Sequence, residues 1–249
     1  MQLVAGAIAT LTMPDLYKRA NLFVVAVLIV VSYVFCYISF HMIYEGNLST
    51  VSLDNLGFLL INGLGILFVH PLVYIFEKIF GLVSDLSLLE LSDTNSKLLR
   101  TLSEKAPGTF HHSLQVANIA EAAANEVNAN ALLVRVGALY HDIGKMNNPL
   151  YFSENQSTNY NPHHELDTFE SSRLILNHIS DGIEIAKRNN LPDRIIDFIR
   201  THHGTTPTRY FYHKAKKESE DINKSIFCYP GPKPYSKETA ILMMADSVE

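Results

Sequence analysis

The sequence predicts an all-α chain, with transmembrane helices first and a cytoplasmic helical domain after them. Two features carry that prediction. Two long runs before Lys78 are free of charge and dominated by large apolar side chains. After Lys78 apolar residues recur at helical spacing in short segments divided by polar loops, while the alternation of a strand is scarce.

The first residues, Leu3 to Met13, are apolar and rich in Ala. They lack the charged start and cleavage site of a secretory signal, so they read as the tail of an earlier apolar segment, and the chain is expected to be a fragment. Between Arg19 and Glu45 there is no Asp, Glu, Lys or Arg. A span over 20–44 follows, since about 20 apolar residues in a helix cross the hydrocarbon core. A second span is expected over 55–77, where Asn62, His70 and Pro71 interrupt the apolar run in a way that bundled helices tolerate. Lys18 and Arg19 precede the first span, Lys78 follows the second, and the loop from Glu45 to Asp54 has no Lys or Arg. That charge asymmetry places both outer flanks in the cytoplasm. Two buried helices of a soluble domain are the alternative; the agreement in length, spacing and flanking charge favours the membrane. The transmembrane region is thus expected over 1–80.

Residues 81–105 read as a helical connector, with Ser92, Asp93 and Thr94 offering caps before Leu98, Leu99 and Leu102. Pro107-Gly108 breaks the pattern, and a helical domain is expected over 106–249. Its helices are read over 109–127, with Leu114, Ala117 and Ala120 on the buried face, over 131–140, from about Thr168 to near His178, over 195–201 and over 240–248.

Overall charge and cysteine content narrow the function. The formal net charge is -5 and no basic block is present, which does not favour a nucleic acid polymer as partner. Cys36 and Cys228 belong to no CxxC pair, so neither a disulfide framework nor a thiolate zinc site is implied. The histidines are the anomaly: nine of the eleven lie from His111 onward, several in pairs. His111 and His112 stand in the first turn of one expected helix. His141-Asp142 sits where the next helix meets a loop, with Gly144 able to terminate that helix. His178 lies on a third, His202-His203 closes a fourth, and Asp246 stands among Ile241, Leu242, Met243, Met244 and Val248. A carboxylate in such a run is costly unless paired or metal-bound. Lone histidines such as His41, His70 and His213 are ordinary surface or core residues. Only one of His111 and His112 need be a ligand, because adjacent helical side chains diverge. Mixed His and Asp donors without thiolate suit iron, manganese or similar ions. Asp142 is the natural bridge of a two-ion site, which can stabilise both the attacking and leaving oxygens of a phosphoryl displacement.

These residues, in order, resemble a known family. Glu104-Lys-Ala-Pro-Gly-Thr-Phe-His-His-Ser113, His141-Asp-Ile-Gly-Lys145, Glu154-Asn-Gln156, Asn161-Pro-His163, His178, His202-His-Gly-Thr-Thr206, Tyr210-Phe-Tyr212 and Ala245-Asp-Ser-Val-Glu249 are similar to stretches of the seven-transmembrane HD-domain family, the PgpH-like cyclic di-AMP phosphodiesterases of bacterial membranes. The resemblance implies metal ligands at His112, His141, Asp142, His178, His202, His203 and Asp246, two divalent ions, iron or manganese, and hydrolysis of cyclic di-AMP to linear pApA. It implies a multi-pass protein of the bacterial cell (inner) membrane with a cytoplasmic catalytic domain. The partners are then a cyclic dinucleotide and the lipid bilayer, with a homodimer as a further expectation. The chain stops at Glu249 where the family continues, so the HD domain is expected to be truncated. Lys145 is a candidate to reach a phosphate oxygen, and Asn155, Gln156, His163 and Lys233 are candidate substrate contacts, the first three in a long polar loop over 153–167. The competing readings are an HD enzyme acting on cyclic di-GMP or a nucleoside phosphate, and a non-catalytic membrane signalling module. Gly204-Thr205-Thr206 after His202-His203 counts against the cyclic di-GMP subgroup, and a missing ligand would mark the signalling module; none is missing.

Overall fold

The computed structural model describes residues 2–12, 19–47, 51–156, 160–218 and 221–249, which divide into two compact units, Met1–Leu86 and Ser87–Glu249. Lys18 and Met13, singled out in the sequence, lie outside the described residues. Eleven α-helices and no β-strand occur among the described residues.

The first unit holds α1 (Gln2–Thr12), α2 (Arg19–Glu45) and α3 (Leu53–Phe80). At 27 and 28 residues, α2 and α3 are long and apolar enough to cross a membrane; at about 1.5 Å per residue each reaches roughly 40 Å. Their outward side chains, among them Phe23, Val27, Val31, Phe35, Leu60, Leu64 and Phe68, are large, apolar and exposed, as a helix facing lipid requires. Small size lets the two pack: a Cβ at Gly63 would meet Val30 Cγ2 at 1.9 Å. A polar tie joins them where Asn55 Nδ2 donates to Tyr37 Oη at 3.0 Å. Gly81, with φ +62°, ends α3 in the left-handed conformation, its N–H bonded to the Glu77 carbonyl.

α4 (Asp85–Leu91) leads into the second unit, followed by α5 (Lys97–Lys105), α6 (Pro107–Glu126) and α7 (Ala131–Tyr140). Residues 87–105, expected as a connector, pack into this unit: Leu88, Leu99 and Leu102 are fully buried. The expected capping by Ser92, Asp93 and Thr94 is not what starts α5. Ser92 Oγ donates to the Leu89 carbonyl, Asp93 Oδ1 accepts from Asn95 N–H, and Ser96 takes the N-cap position. Pro107 does not merely break a pattern; it occupies the first turn of α6, where its missing N–H costs nothing. Val116, Ala117, Ala120 and Ala124 face the core, with Leu114 only half-buried. Asn130 caps α7 by accepting from Leu133 N–H.

Short 3-10 turns follow over Ile143–Asn147, Pro149–Tyr151, Ser153–Asn155 and Pro162–His164. Then come α8 (Thr168–Arg188), α9 (Asp193–Thr201), α10 (Arg209–Glu218) and α11 (Lys237–Val248). α7 lies against α9 so closely that a Cβ at Gly137 would meet the Phe198 ring at 2.4 Å. The helix that Gly144 is expected to end stops instead at Tyr140, and Gly144 serves a close approach: a Cβ there would meet the His178 carbonyl oxygen at 1.9 Å and Gly182 N at 2.5 Å. The turn after α7 is thereby pressed onto the middle of α8.

Candidate metal centre

Five elements deliver the polar side chains. His112 comes from the second turn of α6, and His141 and Asp142 from the end of α7. His178 lies at the centre of α8 rather than near its end, since that amphipathic pattern runs on to Arg188. His202 and His203 follow α9, and Asp246 lies in the last turns of α11. All seven converge. His178, His202 and His203 form one group, and His112, His141, Asp142 and Asp246 form another; within each, the donor atoms lie within 4.8 Å of one another.

Asp142 joins the groups through its two oxygens. Oδ1 faces His178 Nε2 and His202 Nε2, each at 3.4 Å. Oδ2 faces His141 Nε2 at 3.3 Å and His112 Nε2 at 3.7 Å. Asp246 Oδ1 lies 3.0 Å from His112 Nε2 and 3.3 Å from His141 Nε2, while its Oδ2 is 3.8 Å from His203 Nδ1. His111 is exposed and joins neither group, so the choice between the adjacent histidines falls to the face of α6 that looks inward.

The imidazoles are held ready as donors. Nδ1 of His141, His178 and His202 each bonds a carbonyl three residues back, of Ala138, Ile175 and Ile199, at 2.7, 2.6 and 2.9 Å. A carbonyl only accepts, so Nδ1 carries a hydrogen and Nε2 is turned into the site. His112 is oriented by Glu249, whose carboxylate meets its Nδ1 at 2.5 Å. The His203 ring stacks on Tyr229 with centroids 4.2 Å apart. His141 Nε2 and Asp142 Oδ1 are buried and have no hydrogen-bond partner. Buried polar atoms without partners are rare and call for a ligand. Nitrogen and oxygen donors with no thiolate fit a hard or borderline divalent cation.

The electrostatics sort the two groups. Burial, reinforced by His202, holds the His178 pKa down at about 3, and burial with His202 and His178 holds His203 at about 2. Both are neutral at physiological pH, the form that binds metal. Burial also opposes charge on His141, but Asp142 and Asp246 outweigh it and raise its pKa to about 10. Burial works against ionised Asp142 and Asp246 too. Asp142 is nevertheless held well below the usual carboxylate range by His141 and Lys145, and Asp246 by His112 and His141. Metal-free, the second group is a pair of carboxylates balanced by protons on imidazole, which a cation would displace.

The remaining expected residues divide. Lys145 reaches the centre, its Nζ 2.7 Å from Asp142 Oδ2 and 2.8 Å from Glu154 Oε1. Asn155 binds the start of α6 through Thr109, Gln156 Nε2 donates to the Leu150 carbonyl, and His163 Nε2 bonds the Tyr151 carbonyl at 2.9 Å. Lys233 is exposed, its Cα 3.7 Å from where a Cβ on Gly204 would stand, beside His203. Sequence reasoning assigns no role to Glu154, Tyr229 or Glu249, which the structure brings to the site. Of these only Glu249 has a local signal, standing three residues after Asp246 at the end of α11.

The HD domain model matches residues 109–249, and the model of a 7TM receptor with intracellular HD hydrolase matches residues 1–84. The chain is 42% identical over 249 residues to the cyclic-di-AMP phosphodiesterase PgpH of Listeria monocytogenes, covering 99% of this chain and 35% of that protein. It is 48% identical over 174 residues to PgpH of Bacillus subtilis, covering 70% of this chain and 24% of that protein. The chain thus spans about a third or less of the length of these relatives. The crystal structure of the L. monocytogenes PgpH HD domain in complex with cyclic di-AMP superimposes with a TM-score of 0.61 at 51% identity, covering 63% of this chain and 73% of that one.

Proposed function

The chain belongs to the HD-domain family, and on that premise we propose that its second unit is a metal-dependent phosphodiesterase that hydrolyses cyclic di-AMP to linear pApA at the cytoplasmic face of the bacterial cell membrane. The observation that carries the reading is the division of Asp142, with Oδ1 facing two imidazoles of one group and Oδ2 facing two of the other. A carboxylate so placed would be shared by two cations. His178, His202 and His203 would hold one, and His112, His141 and Asp246 the other, with iron or manganese favoured by the donor types. The relatives named above, and the cyclic di-AMP held by one of them, support the substrate.

When bound, such a pair of ions lowers the pKa of water and offsets charge on the phosphate oxygens. The chain supplies the rest. Nδ1–H bonds to backbone carbonyls fix three imidazoles, so the site is preorganised. Lys145 brings a permanent positive charge to the same side as Asp142 Oδ2, suited to a non-bridging phosphate oxygen. Water attacks phosphorus in line, the bond to the ribose 3′ oxygen breaks, and that oxygen leaves with a proton. Gln156, His163 and Lys233 remain proposed substrate contacts; Asn155 has its amide engaged by Thr109, which favours a supporting role. α2 and α3 would tether the unit to the bilayer.

The test is incubation of the purified chain with cyclic di-AMP and cyclic di-GMP in manganese, alongside metal analysis. Conversion of cyclic di-AMP to pApA is expected. Hydrolysis of cyclic di-GMP alone would overturn the substrate assignment.

A further inference from the structure

Two stretches far apart in sequence are clamped together beside the candidate metal centre. Gly108 lies so close to Glu154 that a Cβ there would meet the Glu154 carbonyl oxygen at 1.8 Å. Thr109 N–H donates to Asn155 Oδ1 at 3.1 Å, and Asn155 Nδ2 donates to Thr109 Oγ1 at 2.8 Å. Thr109 Oγ1 in turn donates to Glu154 Oε1 at 3.1 Å. The clamp fixes the Glu154 carboxylate on the helix that carries His112.

That carboxylate oxygen also receives Lys145 Nζ, whose other partner is Asp142 Oδ2. Oδ2 is the oxygen that faces His112 and His141. Lys145 therefore sits on the atom that a cation in the His112–His141–Asp246 group would use. The lysine side chain is only 12% exposed, and an enclosed ammonium that loses its counter-ion is strongly disfavoured.

We propose that Glu154 is a positioning residue acting through Lys145: as a second counter-ion it retains the ammonium when Asp142 Oδ2 turns to a divalent cation. The inference rests on the metal-site reading above. The effect belongs to one ion only, because the other oxygen, Oδ1, faces His178 and His202 and has no Lys or Arg on it among the described residues. Without Glu154, Asp142 becomes the only carboxylate on Lys145, and the ammonium competes with the cation for Oδ2.

The experiment is equilibrium binding of manganese alone to the full chain in detergent, counted per chain, for the parent, Glu154→Gln, Lys145→Met and the double variant, with melting temperatures beside. Gln keeps an acceptor for Thr109. In Glu154→Gln one of the two sites is expected to weaken roughly ten- to hundred-fold, the usual scale for groups that orient metal ligands. In the Lys145→Met background the same change is expected to do nothing more. Unchanged binding in Glu154→Gln overturns the proposal, as does a loss that persists without Lys145. Equal weakening of both sites with a lower melting temperature overturns it as well, because the clamp is then merely structural. A parent chain that binds fewer than two ions removes the metal-site reading itself and the proposal with it. A parent that binds two, beside an unaltered Glu154→Gln, removes the proposal alone.

Discussion

Gly144→Ala tests how the turn after α7 and the helix carrying His178 are held together. The new Cβ would stand 1.9 Å from the His178 carbonyl oxygen and 2.5 Å from Gly182 N. Ordinary contact begins near 3.4 Å, so the two backbones would have to part by about 1.5 Å. The obstacle is helix backbone, not the tip of a flexible side chain, and cannot turn aside. Forced overpacking costs roughly 1–3 kcal/mol, and for a domain of this size each kcal/mol lowers Tm by about 2–4 °C. A drop of roughly 2–12 °C is expected. The displacement also carries His178 away from Asp142 Oδ1, now 3.4 Å distant. Metal ligands hold their distances to about 0.2 Å, so manganese in the His178–His202–His203 group should be lost even below the melting temperature. Calorimetry and metal analysis of the same preparation read both effects. A variant that melts with the parent and binds the same number of ions would refute the argument.

Further expectations concern the bridge, the titrating groups and a control. Asp142→Ala should lose both ions and turnover together, since one residue faces both groups; metal analysis showing one ion retained at parent affinity would contradict the bridge. In chelator, stability should peak at about pH 6.5, the ordinary histidine value. His178 and His203, with folded pKa values of about 3 and about 2, take up protons in the unfolded chain first, so their contribution is complete above the unfolded value and is lost as pH falls. His141, raised to about 10, contributes fully below the unfolded value and loses its contribution as pH rises towards 10. A metal-free Tm that keeps climbing from about pH 7 to about pH 9 would contradict the His141 assignment. Asn130→Ala removes the cap of α7, remote from the metal groups, and should cost about 1 kcal/mol with metal content unchanged; loss of metal in this variant would show that the start of α7 also shapes the site.

Much of the chain is legible in its amino-acid sequence alone. Uncharged length marks α2 and α3, and helical periodicity with polar breaks marks most of the second unit, because those signals act within a few residues. The ordered histidines and aspartates mark the candidate metal centre, because ligand chemistry is written in residue type. Boundaries fail where the local signal has a second meaning. Pro107 starts a helix as readily as it ends one, and Gly144 serves a close approach to α8 rather than a helix end. Which histidine of the adjacent pair turns inward is settled by the face α6 presents to α11, where Asp246 waits 134 positions away. The Glu249 carboxylate behind His112 and the clamp of Glu154 and Asn155 on Thr109 come only from the tertiary structure. Periodicity reports which face of an element is buried; which atoms meet there depends on how separate elements pack, and that information is carried by no single segment of the sequence.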